Sequence, residues 1–318
     1  MLASIYFLFS LLFATSTSHD FVVDASGNGD FKTVQEAIDA VPDMRKNETV
    51  IYIKNGTYKE KLILPASKTN VTFIGESVDK TIITYDDHAS KKNQFGEEIG
   101  TSGSSGFYIF GDGFTARNIT FSNTAGPVGQ AVAVRVDGDK ITFENCKFLG
   151  NQDTLYPHGK SSRQYYKNCY IEGTVDFIFG WSTAYFQDCE IYCKGSGYIT
   201  AASTLEETAY GFVFKNCNIY GSGEKHSFYL GRPWRPYAKT VFIDCAMTDI
   251  IKPEGWHNWG KPDAEETTFY AEYQSVGAGA SAEKRVSWSH QLKKQDIDNY
   301  TLENVFDNWT PNLSTPHE

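Results

Sequence analysis

The chain has 318 residues and a formal net charge of −10, with 41% hydrophobic and 15% aromatic residues. That acidic balance excludes a phosphate-binding surface for nucleic acid, which needs clustered Lys and Arg, and it works against adhesion to an acidic polymer by charge alone. The length suggests two ordinary domains, yet a single solenoid reaches the same size, so internal repeats must decide the count.

Residues 1–18 read as a secretory signal: an apolar run from Leu2 to Ala14, then the small polar stretch Thr15 to Ser18. The expectation is an exported protein whose residues 19–318 form one domain. No later run is long and apolar enough to span a bilayer as a helix, so no membrane partner is expected. Seven Asn-x-Ser/Thr sequons, beginning at Asn47, Asn55, Asn70, Asn118, Asn299, Asn308 and Asn312, offer glycosylation sites to an exported chain.

Phe21 to Asp24 reads as a first strand. Thr33-Val34-Gln35-Glu36 is a capping box that opens a short helix, with Val34, Ala37, Ile38 and Val41 on its apolar face and Pro42 ending it. This helix would cap one end of the strand-rich remainder. Thr49 to Ile53 is the next strand.

From residue 71 a phrase repeats: an apolar-aromatic strand, then Asn or Asp, then often Cys. It runs through Phe73, Phe121, Phe143, Tyr166, Phe186, Phe214 and Phe242, and from Phe121 onward these aromatics are 22, 23, 20, 28 and 28 residues apart. The first interval, 48 residues, reads as two units. One strand phrase per 20–30 residues, with no helical period between, predicts a parallel β-helix rather than a sandwich. The recurring Asn or Asp suits a turn, as at Asp188 and Asp244. The recurring Cys suits a small buried position.

All six cysteines lie between Cys146 and Cys245, and their spacing fits no zinc pattern. Two readings stay open for them: a disulfide, best placed between Cys169 and Cys189, or simple buried thiols. A disulfide closing that interval would contribute about 3 kcal/mol in the chain-entropy model. After Trp259 the phrase stops. Leu292, Ile297, Leu302, Val305 and Phe306 mark a helical and loop tail packed along the solenoid, where it would also cap an exposed sheet edge.

Chemistry concentrates in four segments. Gly173 to Gly180 buries Asp176 in a β-branched and aromatic run, where strand alternation would put Val175, Phe177 and Phe179 on one face and Asp176 on the other. A carboxylate there is costly to desolvate and needs a partner or a task. Asp153, in Gly150 to Tyr156, lies 23 residues earlier, about one coil, which would stack the two carboxyls. Stacked carboxyls cannot both ionise freely, so one pKa should rise while the other stays low. Arg232, in Leu230 to Trp234, would hold the charged one. Gln130 and Gln152 are neutral amides able to donate to an oxyanion. Tyr156, Phe177, Trp234 and Trp256 could form an aromatic floor and walls, and Thr101 joins them as a candidate substrate contact. No Gly-x-Ser-x-Gly elbow, His-Glu-x-x-His motif, P-loop or dinucleotide fingerprint occurs.

From Phe21 through Trp259 the sequence resembles the pectin methylesterases, on Gly129-Gln130-Ala131-Val132-Ala133-Val134-Arg135, Gly150 to Tyr156, Gly173 to Gly180 and Leu230 to Trp234. The resemblance implies a right-handed parallel β-helix with an open cleft, no metal and no cofactor. It implies that Asp176 is the nucleophile toward the C6 methyl ester of a galacturonate unit, Asp153 the acid and then the base, Gln130 and Gln152 the oxyanion donors, and Arg232 the group that orients Asp176. Trp234 and Trp256 would contact sugar. The partners implied are pectin and proteinaceous pectinesterase inhibitors, and the protein would act as a monomer. Trp181-Ser182 departs from the small polar pair of many relatives, which bears on the preferred methylation pattern. A lyase or glycosidase of pectin and a non-catalytic polysaccharide-binding solenoid are the competing readings; methanol release separates both from an esterase.

Overall fold

The structure, a computed structural model, describes residues 19–314, so the signal reading at 1–18 lies outside the described residues. Its strands form three sheets of 11, 8 and 7 members. Pairing is parallel and advances one coil at a time. Ile141–Glu144 pairs with Arg163–Lys167 in the first sheet, Lys147–Leu149 with Tyr170–Gly173 in the second, and Leu155–Pro157 with Ile178–Gly180 in the third. The fold is the expected parallel β-helix.

In-register stacking follows from the repeated phrase. Phe143, Tyr166, Phe186, Phe214 and Phe242 form an inward column, each ring 4.5–5.1 Å from the next and within 13° of parallel. After six of the first-sheet strands, from Thr115–Arg117 to Lys239–Ile243, the next residue supplies the bend. Asn118, Asn145, Asn168, Asp188, Asn216 and Asp244 all have φ between 51° and 56°. Asn and Asp tolerate this left-handed conformation better than other residues with a Cβ, because their short polar side chains bond locally.

The next residue points back inside, and Cys146, Cys169, Cys189, Cys217 and Cys245 are at most 1% exposed. All six cysteines are free, so of the two readings the buried thiol is the one found and the Cys169–Cys189 disulfide is not. The five thiols that follow first-sheet strands are each turned to a carbonyl of the preceding coil, Cys169 to Phe143 at 3.6 Å and Cys189 to Tyr166 at 3.5 Å.

Three sequence expectations need correction. Phe121 lies in Thr120–Asn123 of the second sheet, and Ala116 takes the place between Phe73 and Phe143 in the first. The 48-residue interval is therefore not two units. One long coil runs from 73 to 116, extended by an insertion at residues 86–106. The first sheet also continues past Trp259, through Phe269–Tyr273 and His290–Gln291. Thirdly, the tail lies mainly on a face rather than over an edge. Leu292, Ile297, Tyr300, Leu302, Val305, Phe306 and Trp309 cover Tyr165, Tyr185, Val213 and Val241, the outward residues of the first sheet.

The helix Val34–Ala40 has the predicted capping box at Thr33 and Glu36, and its buried face packs at the N-terminal end of the stack.

Candidate active site

The third sheet carries a cleft of about 520 Å³ on its outer face. Tyr156, Phe179 and Ala201 form its floor as outward residues of successive strands, packed with Val132 below and Trp234 and Trp259 beside them. The insertion supplies one wall, Ile99 to Ser102, and so brings Thr101 to the cleft. That wall is tied to the coil beneath it: the Ala89 N–H donates to the Gln130 carbonyl at 2.8 Å, and Val132 N–H donates to Ser104 Oγ at 3.2 Å.

Asp153 and Asp176 both line the cleft. Leu155 pairs with Ile178 and Asp153 N–H donates to the Val175 carbonyl, so the two aspartates occupy equivalent places one coil apart. Neither sits inside a strand. Asp153 has φ 62° and Asp176 φ 52°, and the strand begins only at Ile178. This left-handed kink turns each carboxyl outward just before the chain enters the sheet. The alternation expected for the central segment fails because Phe177 precedes the strand: it faces the interior against Phe228, wholly buried, while Phe179 faces the cleft. Phe177 is therefore a core residue, not a wall of the site.

Arg232 follows the strand Phe228–Gly231 and reaches back across Gly197–Ala202. Its Nε donates to Asp176 Oδ1 at 2.9 Å and its Nη2 to Oδ2 at 2.7 Å. Gly231 makes that approach possible, since a Cβ there would lie 2.1 Å from Thr200 Oγ1. The guanidinium is itself sandwiched, with Cζ 3.9 Å from the Tyr198 ring centroid and 3.6 Å from that of Trp259.

The two carboxyls thus meet different environments. Burial raises the pKa of Asp153 well above the ordinary carboxylate value; the nearby Asp176 charge adds to the rise, and Arg232 opposes it. Asp153 has no hydrogen-bond donor among the described residues. Asp176 is also raised by burial, against the pull of Arg232 and of Lys261, so it does not stay low as the sequence suggested. The split is real but runs between a strongly raised group and a less raised, ion-paired one.

Gln130 and Gln152 form a parallel bridge one strand-step before Asp153, and both line the cleft. Neither side-chain amide is engaged by another group among the described residues. A paired carboxylate, a carboxyl whose pKa burial raises and two uncommitted amides around one space have the chemistry that acyl transfer requires of a nucleophile, a proton donor and oxyanion donors.

Trp256 does not contact this space. It is 1% exposed and stacks on Tyr270 at 4.3 Å, because the Gly231–Trp256 bridge sends its side chain inward. Trp259, which the sequence reading passed over, lines the cleft three residues later. Trp181 packs on His158 at 4.4 Å, beyond the cleft lining. His158 Nδ1 lies 2.5 Å from Asp137 Oδ1, and Arg135 pairs with the same carboxylate through Nε and Nη2.

A family model described as pectinesterase matches residues 20–308. Pectinesterase 31 of Arabidopsis thaliana is 42% identical over 291 residues, covering 90% of this chain and 91% of that protein. A probable pectinesterase/pectinesterase inhibitor from the same plant is 40% identical over 94% of this chain, which spans 53% of that longer protein. Among solved structures, the pectin methylesterase from carrot superposes with a TM-score of 0.84 at 37% identity, covering 93% of this chain and 95% of its own.

Proposed function

The chain belongs to the pectinesterase family and is an ester hydrolase of that kind; from that premise we propose that it hydrolyses C6 methyl esters of homogalacturonan, with Asp176 as nucleophile and Asp153 as acid and base. The observation that carries this reading is that Arg232 pairs bidentately with Asp176 and leaves Asp153 without a donor.

An Asp176 oxygen attacks the ester carbonyl carbon, and the amides of Gln130 and Gln152 receive the oxyanion. Collapse breaks the bond to the methoxy oxygen, which leaves as methanol with the Asp153 proton. Asp153, now a carboxylate, takes a proton from water as the water oxygen attacks the acyl-enzyme. Collapse then frees Asp176 and the galacturonate carboxyl, with Asp153 protonated again. Tyr156, Phe179, Trp234 and Trp259 give the sugar apolar surfaces, and Thr101 a polar edge.

The same reading holds that residues 1–18 direct export, that 19–318 act as one catalytic domain and a monomer, and that proteinaceous inhibitors compete for the cleft. Methanol release from highly methylated pectin, measured for wild type beside Asp176→Asn, tests the central claim. A loss on the order of 10³ or more is expected with the fold intact by circular dichroism. Equal release from both proteins would reject Asp176 as nucleophile.

A further inference from the structure

Arg232 can orient Asp176 only if its own plane is held. Trp259 covers its cleft face; the other face lies on Tyr198, which is outside the cleft lining. The strand register puts Tyr198 one coil beyond Asp176 and pairs it with Tyr229. Tyr198 and Tyr229 stack at 5.3 Å, and His257 stacks on Tyr229 at 5.2 Å. His257 Nδ1 lies 3.2 Å from the Tyr198 hydroxyl. The His257 backbone N–H donates to the carbonyl of Gly231, the residue before Arg232, at 3.1 Å. One short loop, residues 257–259, thus carries both Trp259 and the residue that holds Tyr198.

We propose that Tyr198 and His257 are positioning residues for the esterase reaction: the hydrogen-bonded pair braces the inner face of Arg232 and so fixes its two-point contact with Asp176. This rests on the reading of Asp176 as nucleophile. The brace works with a neutral imidazole, which accepts the Tyr198 O–H at Nδ1. The charged groups around it are Arg232, Lys252 with Nζ 5.1 Å from the Tyr229 centroid, Lys261 with Nζ 4.5 Å from the Trp259 centroid, and Glu254 near Tyr229. Asp176 offsets much of the Arg232 charge in this cluster; burial first, and Arg232 second, lower the His257 pKa below its ordinary value. A protonated ring would reverse the hydrogen bond and place its charge beside the guanidinium.

The test compares kcat, KM and the acid limb of the pH profile for wild type, Tyr198→Leu, Tyr198→Phe, His257→Ala and His257→Asn, with Asp176→Asn as control. Tyr198→Leu should lower kcat by roughly 10- to 100-fold with KM nearly unchanged, since orientation rather than binding is lost. Its acid limb should move to higher pH, because a loosened Arg232 no longer opposes the burial of Asp176. Tyr198→Phe and His257→Ala should move the same way by less. His257→Asn should recover most of the loss, its amide oxygen accepting the Tyr198 hydroxyl. Wild-type kcat and acid limb in Tyr198→Leu and His257→Ala, beside an inactive Asp176→Asn, would overturn the proposal. So would losses that track the folded fraction with the acid limb unmoved. An active Asp176→Asn would instead overturn the nucleophile assignment.

Discussion

At the scale of single residues, the site trades stability for reactivity. Asp153 is buried without a donor, so its proton is held more tightly in the folded than in the unfolded chain. The folded state then binds more protons than the unfolded state above the ordinary carboxylate pKa, and stability falls as pH rises from that point until the folded pKa is reached. Asp153→Asn should therefore melt with wild type near pH 3.5 and above it at pH 7, while methanol release collapses; thermal melts at the two pH values check this. The proposed mechanism needs Asp176 ionised and Asp153 protonated. Because burial raises Asp176, the acid limb of activity should lie above the ordinary carboxylate pKa, and the basic limb should follow the higher pKa of the coupled pair. An acid limb that extends unchanged well below pH 4 would contradict the two-carboxylate mechanism. Gln130→Ala should lower kcat on the order of 10²-fold by removing one oxyanion donor, with little change in KM.

At the scale of elements, the repeated phrase made the first sheet legible, because an inward aromatic, a left-handed Asn or Asp and an inward Cys recur in the five coils from Phe143 to Cys245. Where one coil lacks the phrase the reading slipped. Ala116 replaces the aromatic, and the similar wording around Phe121 belongs to another sheet. The site was legible in its polar members, Asp153, Asp176, Arg232, Gln130 and Gln152, which all meet at the cleft. Its aromatic members were half legible. Alternation holds only within a strand, and Phe177 precedes the strand that begins at Ile178, so it and Phe179 need not share a face. Two tryptophans three residues apart carry no periodic signal that tells a bridge residue from a loop residue. Exchanging their roles gives a prediction. Trp256→Ala should lose about 3–5 kcal/mol of stability through its cavity with KM for pectin retained, whereas Trp259→Ala should raise KM and lower kcat with a small change in melting temperature. Denaturant melts beside steady-state kinetics distinguish them. The cysteine column makes a further claim: burial pushes the Cys146 thiol up to about 12. Under native conditions an alkylating reagent followed by intact-mass measurement should find no label on the buried thiols, and reductant should leave the melting temperature unchanged.

For the whole molecule, the tail is a structural part of the solenoid. The outward rings of Tyr165 and Tyr185 would face water without Val305 and Phe306, and Arg163 donates to the Phe306 carbonyl at 3.0 Å to hold that segment down. Removing residues 292–314 should expose a contiguous apolar strip and convert a soluble species into aggregates by size-exclusion chromatography. The stacking of coils has another consequence. The residues assigned to the chemistry, from Gln130 to Arg232, flank strands of the third sheet up to Phe228–Gly231, its last strand, with Leu62–Leu64 and Phe107–Ile109 beyond them on the N-terminal side. Because each coil touches mainly its neighbours, the terminal coils can fray while the middle ones remain closed. Methanol release would be blind to such fraying: amide exchange at the first strands could rise by orders of magnitude in a preparation whose turnover is undiminished.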